Sequence, residues 1–167
     1  MTGEKSPAEL LRQEHQSVLL KLDSLESAIN NLEQKEKIAA KLKELTAFFN
    51  TEFWGHFEKE EKALFPEFGS LMPPGSGPVA VMLAEHDVMR MINGELQQAV
   101  ARYLDQNDNA ETRRTISENG AHFISFLRDH IFKEDNVLFQ MADTHFDQKQ
   151  NEKVVRLFAM IENSKGS

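Results

Sequence analysis

The chain has 167 residues, of which 40% are hydrophobic and 28% are charged, a composition typical of one globular domain with a sizeable core. It contains no cysteine, which excludes disulfides, thiolate metal ligands and cysteine catalysis. A formal net charge of −8 argues against nucleic acid or an anionic membrane as the main partner.

Neither export nor membrane insertion is indicated by the sequence. The N-terminal residues carry no apolar stretch of the kind found in signal peptides, and no apolar run is long enough to cross a bilayer. We therefore expect a cytoplasmic protein, whose oligomeric state the sequence leaves open.

Hydrophobic residues recur with the 3.6-residue period of α-helices and without the alternation of strands. A first helix is predicted to begin at Ser6, with Pro7 at its first position and Glu9 completing a capping box. The apolar stripes of four successive helices are Leu11, Val18, Leu22, Leu25, Ile29 and Leu32; Leu42, Leu45, Phe49, Phe53 and Leu64; Met82, Met89, Leu96 and Val100; and Ile116, Phe123, Leu127, Val137 and Met141.

Loop signals separate these stripes. The densest cluster of Gly and Pro spans residues 68–78, and weaker breaks occur at Asn30-Asn31 and at residues 105–109. A shorter fifth helix is predicted over residues 148–162, with Val154, Leu157, Phe158 and Ile161 facing inward. This order predicts an all-α fold, an up-down four-helix bundle with a short extra C-terminal helix, forming a single domain over residues 1–167 with its core at about 8–142.

Each apolar stripe is interrupted by a histidine, and two of the four histidines are followed by a glutamate one turn later. The interrupting residues are His15, His56, Glu60, His86, His130 and Glu134. Steps of three and four residues keep them on the inward faces. Because an ionised carboxylate in an apolar core is costly unless it is paired or binds a metal, we expect these residues to bind divalent cations. Imidazole and carboxylate suit iron, zinc and manganese.

An internal repeat strengthens this prediction. The segment from His56 to Phe65 and the segment from His130 to Phe139 share His, Lys, Glu, Leu and Phe at an offset of 74 residues. The Glu-His pairs at His15 and His86 repeat at an offset of 71 residues. Two such halves would form one two-metal site in which a carboxylate from each half bridges the metals and four histidines cap them. Six protein ligands would leave open positions for a small ligand.

This pattern resembles the hemerythrin-like family, also called the HHE cation-binding domain, over nearly the whole chain, from about Leu10 to Ala142. The motifs that carry the resemblance are Gln13-Glu14-His15, His56-Phe57-Glu58-Lys59-Glu60-Glu61 with Leu64-Phe65-Pro66, Glu85-His86, and His130-Ile131-Phe132-Lys133-Glu134 with Leu138-Phe139. The resemblance implies a non-heme di-iron centre with His15, His56, His86 and His130 as terminal ligands and Glu60 and Glu134 as bridges. Zinc or manganese could replace iron.

Two departures separate the chain from the oxygen-carrying members of that family. Where the carriers have a fifth histidine, this chain has Arg90, and where they place Asp five residues after the last histidine, it has Glu134 at four. Both features resemble the broader hemerythrin-like group. They argue against simple oxygen transport and for a more open metal position.

The neighbouring residues admit less specific interpretations. His122 is interpreted as a structural residue or as one that supports a ligand from outside the site, and His145 as solvated. Glu58 and Glu61 are interpreted as surface charges. Glu14 and Glu85 either orient the histidines or lie on a solvated face. An apolar wall near the metals is expected from Phe49, Phe53, Phe123, Met82 and Met89, and Trp54 is expected in the core.

The leading functional hypothesis is a di-iron protein that binds or senses a small diatomic ligand, either dioxygen or nitric oxide. The second is an enzyme, acting in iron–sulfur cluster repair or in peroxide consumption. The third is a plain iron-storage or metal-binding module. The sequence favours a metal-binding protein over a dedicated enzyme.

Overall fold

The computed structural model describes residues 4–165 and is helical throughout, with no strand in that range. Residues 1–3 and 166–167, at the limits of the predicted domain, lie outside the described residues. The α-helices are α1 (Pro7–Ile29), α2 (Lys35–Phe48), α3 (Glu52–Lys59), α4 (Phe65–Glu67), α5 (Gly77–Leu104), α6 (Ala110–Lys133), α7 (Phe139–His145) and α8 (Gln148–Lys165). None of these helices combines the length and the apolarity needed to span a bilayer.

Side-chain caps set the starts of several helices. The Ser6 hydroxyl accepts a hydrogen bond from the backbone N–H of Glu9 at 3.1 Å, which confirms the predicted start of α1. The Asn109 amide oxygen caps α6 in the same way at 2.9 Å. The Asp147 carboxylate accepts the backbone N–H of Gln150, and the Gln150 side-chain oxygen accepts the backbone N–H of Asp147. This capping box satisfies two backbone donors at the start of α8.

The predicted second helix is not continuous. A turn follows α2 at residues 49–51, and the chain becomes helical again at Glu52. The Thr51 hydroxyl donates to the carbonyl of Ala47 at 2.8 Å, and the Asn50 N–H bonds that same carbonyl. Such local bonds compete with the helical ladder. The apolar period continues across the break, so the pattern of hydrophobic residues gives no sign of it.

Two five-residue π-helical turns, Glu60–Leu64 and Glu134–Leu138, interrupt the helical path at matching places in the repeat. Each closes with a bond over five residues, from the N–H of Phe65 to the carbonyl of Glu60 and from the N–H of Phe139 to that of Glu134. A π turn contains one residue more than an α turn and therefore shifts the buried face.

This shift overturns one predicted core position. Val137 was expected to face inward, but it is 44% exposed, and Leu138 is buried in its place. The prediction assumed an uninterrupted α-helical period. Apart from Val137 and the partly buried Met141, the residues of the four predicted stripes are buried.

The chain divides into two compact units. The first contains the described residues up to Gln16, residues Trp54–His86 and the chain from His130 onward. Its core is formed by Ala8, Leu11, Ala63, Leu64, Phe65, Phe68, Met82, Leu138, Phe139, Ala142, Phe146, Val154 and Phe158. In α8, Val154 and Phe158 are buried as predicted, and Leu157 and Ile161 are partly buried against the same core.

The second unit contains Ser17–Phe53 and Asp87–Asp129. Phe49 and Phe123 meet edge to face in its core, with ring centroids 5.3 Å apart. The buried polar groups are satisfied, since the Asn93 amide donates to the carbonyl of Phe49 at 3.1 Å and the Tyr103 hydroxyl donates to that of Leu32 at 2.6 Å. The hydrophobic stripes therefore give this unit a closely packed core.

Candidate metal centre

All six predicted site residues lie in the first unit, and the structure brings them together. The six side chains come from α1, α3, α5, α6 and the first residues of the two π turns: His15, His56, Glu60, His86, His130 and Glu134. Each residue is at most 6% exposed. Four histidines and two glutamates therefore share one buried location.

Each glutamate lies between two histidines. Glu60 approaches the Nε2 atoms of His56 at 3.2 Å and His86 at 3.1 Å, one with each carboxylate oxygen. Glu134 approaches the Nε2 atoms of His15 at 3.2 Å and His130 at 3.4 Å. Each carboxylate thus contacts one histidine from each half of the internal repeat.

The ligand atoms form two overlapping groups. One consists of His15, His56, Glu60 and Glu134, and the other of His86, His130, Glu60 and Glu134. Within each group the atoms lie within 4.8 Å of one another. The two carboxylates belong to both groups, so each group could hold a cation and the two groups would share Glu60 and Glu134.

The hydrogen bonding of the site agrees with a bound cation. Among residues 4–165, the four carboxylate oxygens of Glu60 and Glu134 and the Nε2 atoms of His86 and His130 are buried without a hydrogen-bond partner. In the four histidine–glutamate contacts, a histidine Nε2 atom lies 3.1–3.4 Å from a carboxylate oxygen. A buried polar atom left unpaired costs roughly 1–3 kcal/mol. The residues therefore fit metal ions with nitrogen and oxygen ligands.

The neighbouring carboxylates raise the pKa values of two of the histidines, His56 and His86. Burial lowers the pKa of His56, but the charge of Glu60 and a hydrogen bond to Glu14 outweigh burial and raise it to about 10. Burial likewise lowers the pKa of His86, which contacts with Glu60 and Glu61 raise to about 9. Without a metal, protons on His56 and His86 would compensate part of the carboxylate charge. Metal binding would release those protons.

A second layer of carboxylates orients the histidines. Each histidine donates its Nδ1–H to an acidic side chain: His15 to Asp135 at 2.7 Å, His56 to Glu14 at 2.9 Å, His86 to Glu61 at 2.6 Å and His130 to Glu85 at 2.8 Å. These bonds leave Nε2 as the nitrogen that faces the cation positions. Outer carboxylates of this kind fix the ring and make imidazole a stronger ligand.

The sequence reasoning had identified this layer only in part. For Glu14 and Glu85 the sequence leaves two alternatives, an orienting role or a solvated position. In the structure both accept a hydrogen bond from a histidine, which is the orienting role. The prediction that Glu61 is a surface charge is wrong. Asp135 was not singled out, although an acidic residue follows both Glu60 and Glu134 in the repeat. Glu61 and Asp135 each directly follow one of the central glutamates within a π turn.

Two lysines form a third layer. Lys59 donates to Glu14 at 2.7 Å, and Lys133, its equivalent in the repeat, donates to Glu85. Burial raises the pKa of Glu14, but His56 and Lys59 outweigh this effect and lower it to about 2. Lys59 and Lys133 occupy equivalent positions of the internal repeat. This repetition is the sequence signal that could have identified them.

Aromatic rings cover the histidines. Phe57 stacks on His86 with ring centroids 3.7 Å apart and an interplanar angle of 8°. Phe139 stacks on His15 at 5.3 Å. Of the residues expected to form an apolar wall, Met82 belongs to this unit, whereas Phe49, Phe53, Phe123 and Met89 belong to the second unit. Within the first unit, Phe57 and Phe139 thus contact the histidine rings, and Trp54 is only partly buried.

The remaining histidines and Arg90 do not belong to either ligand group. His122 and His145 are exposed, as expected for His145. Arg90 is also exposed, and its guanidinium donates to Asp87 at 3.1 Å.

Fold and site together define an all-helical protein with a buried histidine–carboxylate centre for metal cations. The hemerythrin HHE cation binding domain matches residues 6–142, which is most of the chain. The chain therefore belongs to the hemerythrin HHE cation-binding domain family, and the resemblance found in the sequence is confirmed.

Curated relatives include the iron-sulfur cluster repair protein YtfE of Yersinia pestis (strain Pestoides F) and that of Yersinia pseudotuberculosis (serotype O:1b, strain IP 31758). Each is 33% identical over 107 residues, which are 64% of this chain and 45% of the relative. The match thus spans less than half the length of these proteins.

Proposed function

We propose that the protein is a non-heme di-iron protein whose centre binds or senses a small ligand, with dioxygen and nitric oxide as the candidates. The observation that carries the proposal is the pair of overlapping ligand groups that share Glu60 and Glu134. A single metal would use only one of these groups and would leave buried polar atoms of the other unpaired.

Iron is the proposed metal because the chain belongs to a cation-binding domain family and because the relatives are named for iron–sulfur cluster repair. Imidazole and carboxylate do not by themselves select iron over zinc or manganese. Six protein ligands are too few to saturate two six-coordinate ions. A di-iron centre here would supply open coordination positions and redox chemistry.

The chain's own residues prepare such a centre for a small, weakly polar ligand. The four Nδ1–H bonds hold the imidazole rings in one orientation. The rings of Phe57 and Phe139 exclude water from the faces of His86 and His15. An apolar surrounding of this kind controls solvent access and the local dielectric constant.

A second candidate function, iron donation in the repair of iron–sulfur clusters, is favoured by the names of the relatives. The match covers 45% of the length of these relatives. On this proposal the centre would hold iron reversibly and supply it to a damaged cluster.

The fold proposed for this centre is the up-down four-helix bundle of the sequence prediction, with α8 as an added helix. The cytoplasmic location and the single-domain organisation stay predictions from the sequence.

Anaerobic loading with Fe(II) tests both functions. The proposed function requires two irons per chain, and uptake of zinc but no iron would contradict it. The loaded protein is then mixed with nitric oxide or dioxygen and followed by absorption spectroscopy. A stable, reversible spectral change supports ligand binding, whereas transfer of iron to a cluster-free acceptor protein supports donation.

Two variants make this test specific. Glu60→Ala should lose the second iron because it removes one of the two shared carboxylates. Glu118→Gln, on the exposed face of α6, is the control and should load two irons.

A further inference from the structure

The two halves of the metal centre repeat each other, but α8 contacts only one of the two π turns closely. This helix lies beyond the residues that match the family. It packs against the first π turn, Glu60–Leu64, and its residues Val154 and Phe158 lie in the core of the same unit. It therefore adds contacts to a centre that is otherwise twofold symmetric in sequence.

The contacts of α8 converge on Lys59. Glu162 accepts a hydrogen bond from the Lys59 ammonium group. One turn earlier, the Phe158 ring lies 5.9 Å from that ammonium nitrogen. The Lys59 side chain is only 9% exposed and donates at the same time to Glu14, the carboxylate that orients His56. A continuous chain of contacts thus leads from α8 to one histidine of the centre.

The equivalent lysine of the other half lacks this support. The Lys133 side chain is 44% exposed. Among residues 4–165, its ion-pair partner is Glu85 alone. On the same side, Phe132 and Val137 are exposed, whereas Ala63, the equivalent of Val137, is buried. No helix equivalent to α8 covers this face in the described part of the chain.

The packing beside His86 leaves an open space. A cavity of about 260 Å³, lined mainly by apolar side chains, lies beside Glu61 and Phe65, two residues that contact His86. Because all four histidines are at most 6% exposed, solvent exposure does not rank the two cation positions, and the difference lies in how firmly the outer residues are held.

We propose that α8 makes the two metal positions unequal, because Glu162 and Phe158 hold Lys59 on Glu14. The position formed with His15 and His56 then releases its metal more slowly than the position formed with His86 and His130. This inference rests on the two-metal centre of the proposed function, but it does not depend on which metal is bound.

The size of the effect follows from the exposure of the contacts. Release of the metal requires His56 to turn away, which breaks its bond to Glu14. The Glu162–Lys59 pair restrains this motion, and because Glu162 is itself 60% exposed, solvent weakens its contribution. Partly exposed ion pairs and charged hydrogen bonds of this kind change an equilibrium or rate about threefold to tenfold.

Release of cobalt to a chelator tests the proposal. The full chain is loaded with two Co(II) ions, whose absorption reports their coordination, and mixed with excess EDTA. Two phases of one metal each are expected. Glu162→Gln should accelerate the slow phase about threefold to tenfold, and Lys59→Met should accelerate it at least as much. Glu152→Gln, at an exposed position of the same helix, is the control and should match the parent protein.

Lys133→Met is the matched variant in the other half and should leave the slow phase unchanged. Uptake of a single cobalt, a single release phase for two cobalts, or a slow phase that responds to Lys133→Met but not to Glu162→Gln would overturn the inference. A chain that releases cobalt as expected but takes up no iron would refute the proposed function and leave this inference standing.

Discussion

Removal of the metal ions should destabilise the protein strongly. Six buried atoms, the four oxygens of Glu60 and Glu134 and the Nε2 atoms of His86 and His130, lack hydrogen-bond partners among residues 4–165. At roughly 1–3 kcal/mol each, their combined cost is about 6–18 kcal/mol. That cost is comparable with the entire stability of a domain, about 5–15 kcal/mol.

Protons on His56 and His86 would offset part of this cost, since contacts with the carboxylates raise the pKa of His56 to about 10 and that of His86 to about 9. The lower bound of the combined cost of the unpaired atoms is about 6 kcal/mol, and if protonation removes half of it, about 3 kcal/mol of destabilisation remains. For a chain of this size, that corresponds to a fall in Tm of about 6–12 °C. Calorimetry of metal-loaded and chelator-treated protein measures the difference.

A double variant, Glu60→Met with Glu134→Met, provides the control. Replacing buried charges by apolar side chains of similar volume is often neutral or stabilising. The double variant should therefore unfold at the same temperature with and without metal, at or above the Tm of the metal-free parent. Equal Tm values for the loaded and metal-free parent protein would refute the reasoning.

Three further predictions concern single side chains around the centre. Glu14→Gln and Glu85→Gln should each lower cobalt affinity about 10-fold to 100-fold, as measured by titration, because the amide orients the imidazole less strongly than a carboxylate does; unchanged affinity would exclude an orienting role. Phe57→Ala should cost about 3–5 kcal/mol in urea unfolding because the buried ring stacks on His86. Leu138→Ala should cost about 2–5 kcal/mol and Val137→Ala less than about 0.5 kcal/mol; the reverse order would contradict the π turn at Glu134–Leu138.

Much of the helical fold was predictable because burial acts on one face of each helix. The stripe residues Leu11, Leu22, Met82 and Met89 are buried as expected, and α1 begins at its predicted cap. The interruptions within the predicted helices, the turn at residues 49–51 and the two π turns, were not predictable. The turn before Glu52 depends on local hydrogen bonds of single residues, which the apolar period does not record.

The six central residues were predictable because each replaces an apolar residue on a buried stripe. Their outer partners were not, because a carboxylate two layers from the centre has the same local sequence signature as a solvated one. Glu61 illustrates the difficulty, since its side chain is 26% exposed and yet accepts the Nδ1–H of His86. The repeat is the signal that separates the two cases, because Asp135 occupies the equivalent position beside Glu134.

The carboxylates in and around the centre outnumber the lysines that contact them. With neutral histidines, the two bridging carboxylates and the four outer carboxylates exceed the two lysines by four negative charges. Two divalent cations neutralise this excess, whereas a single one would leave it half compensated in a buried location where uncompensated charge is costly. In the proposed di-iron centre, oxidation of both metals would add two positive charges, and an anionic ligand at the open positions would offset them. The surrounding charges would therefore favour the reduced pair, and the oxidised pair would gain affinity for an anion.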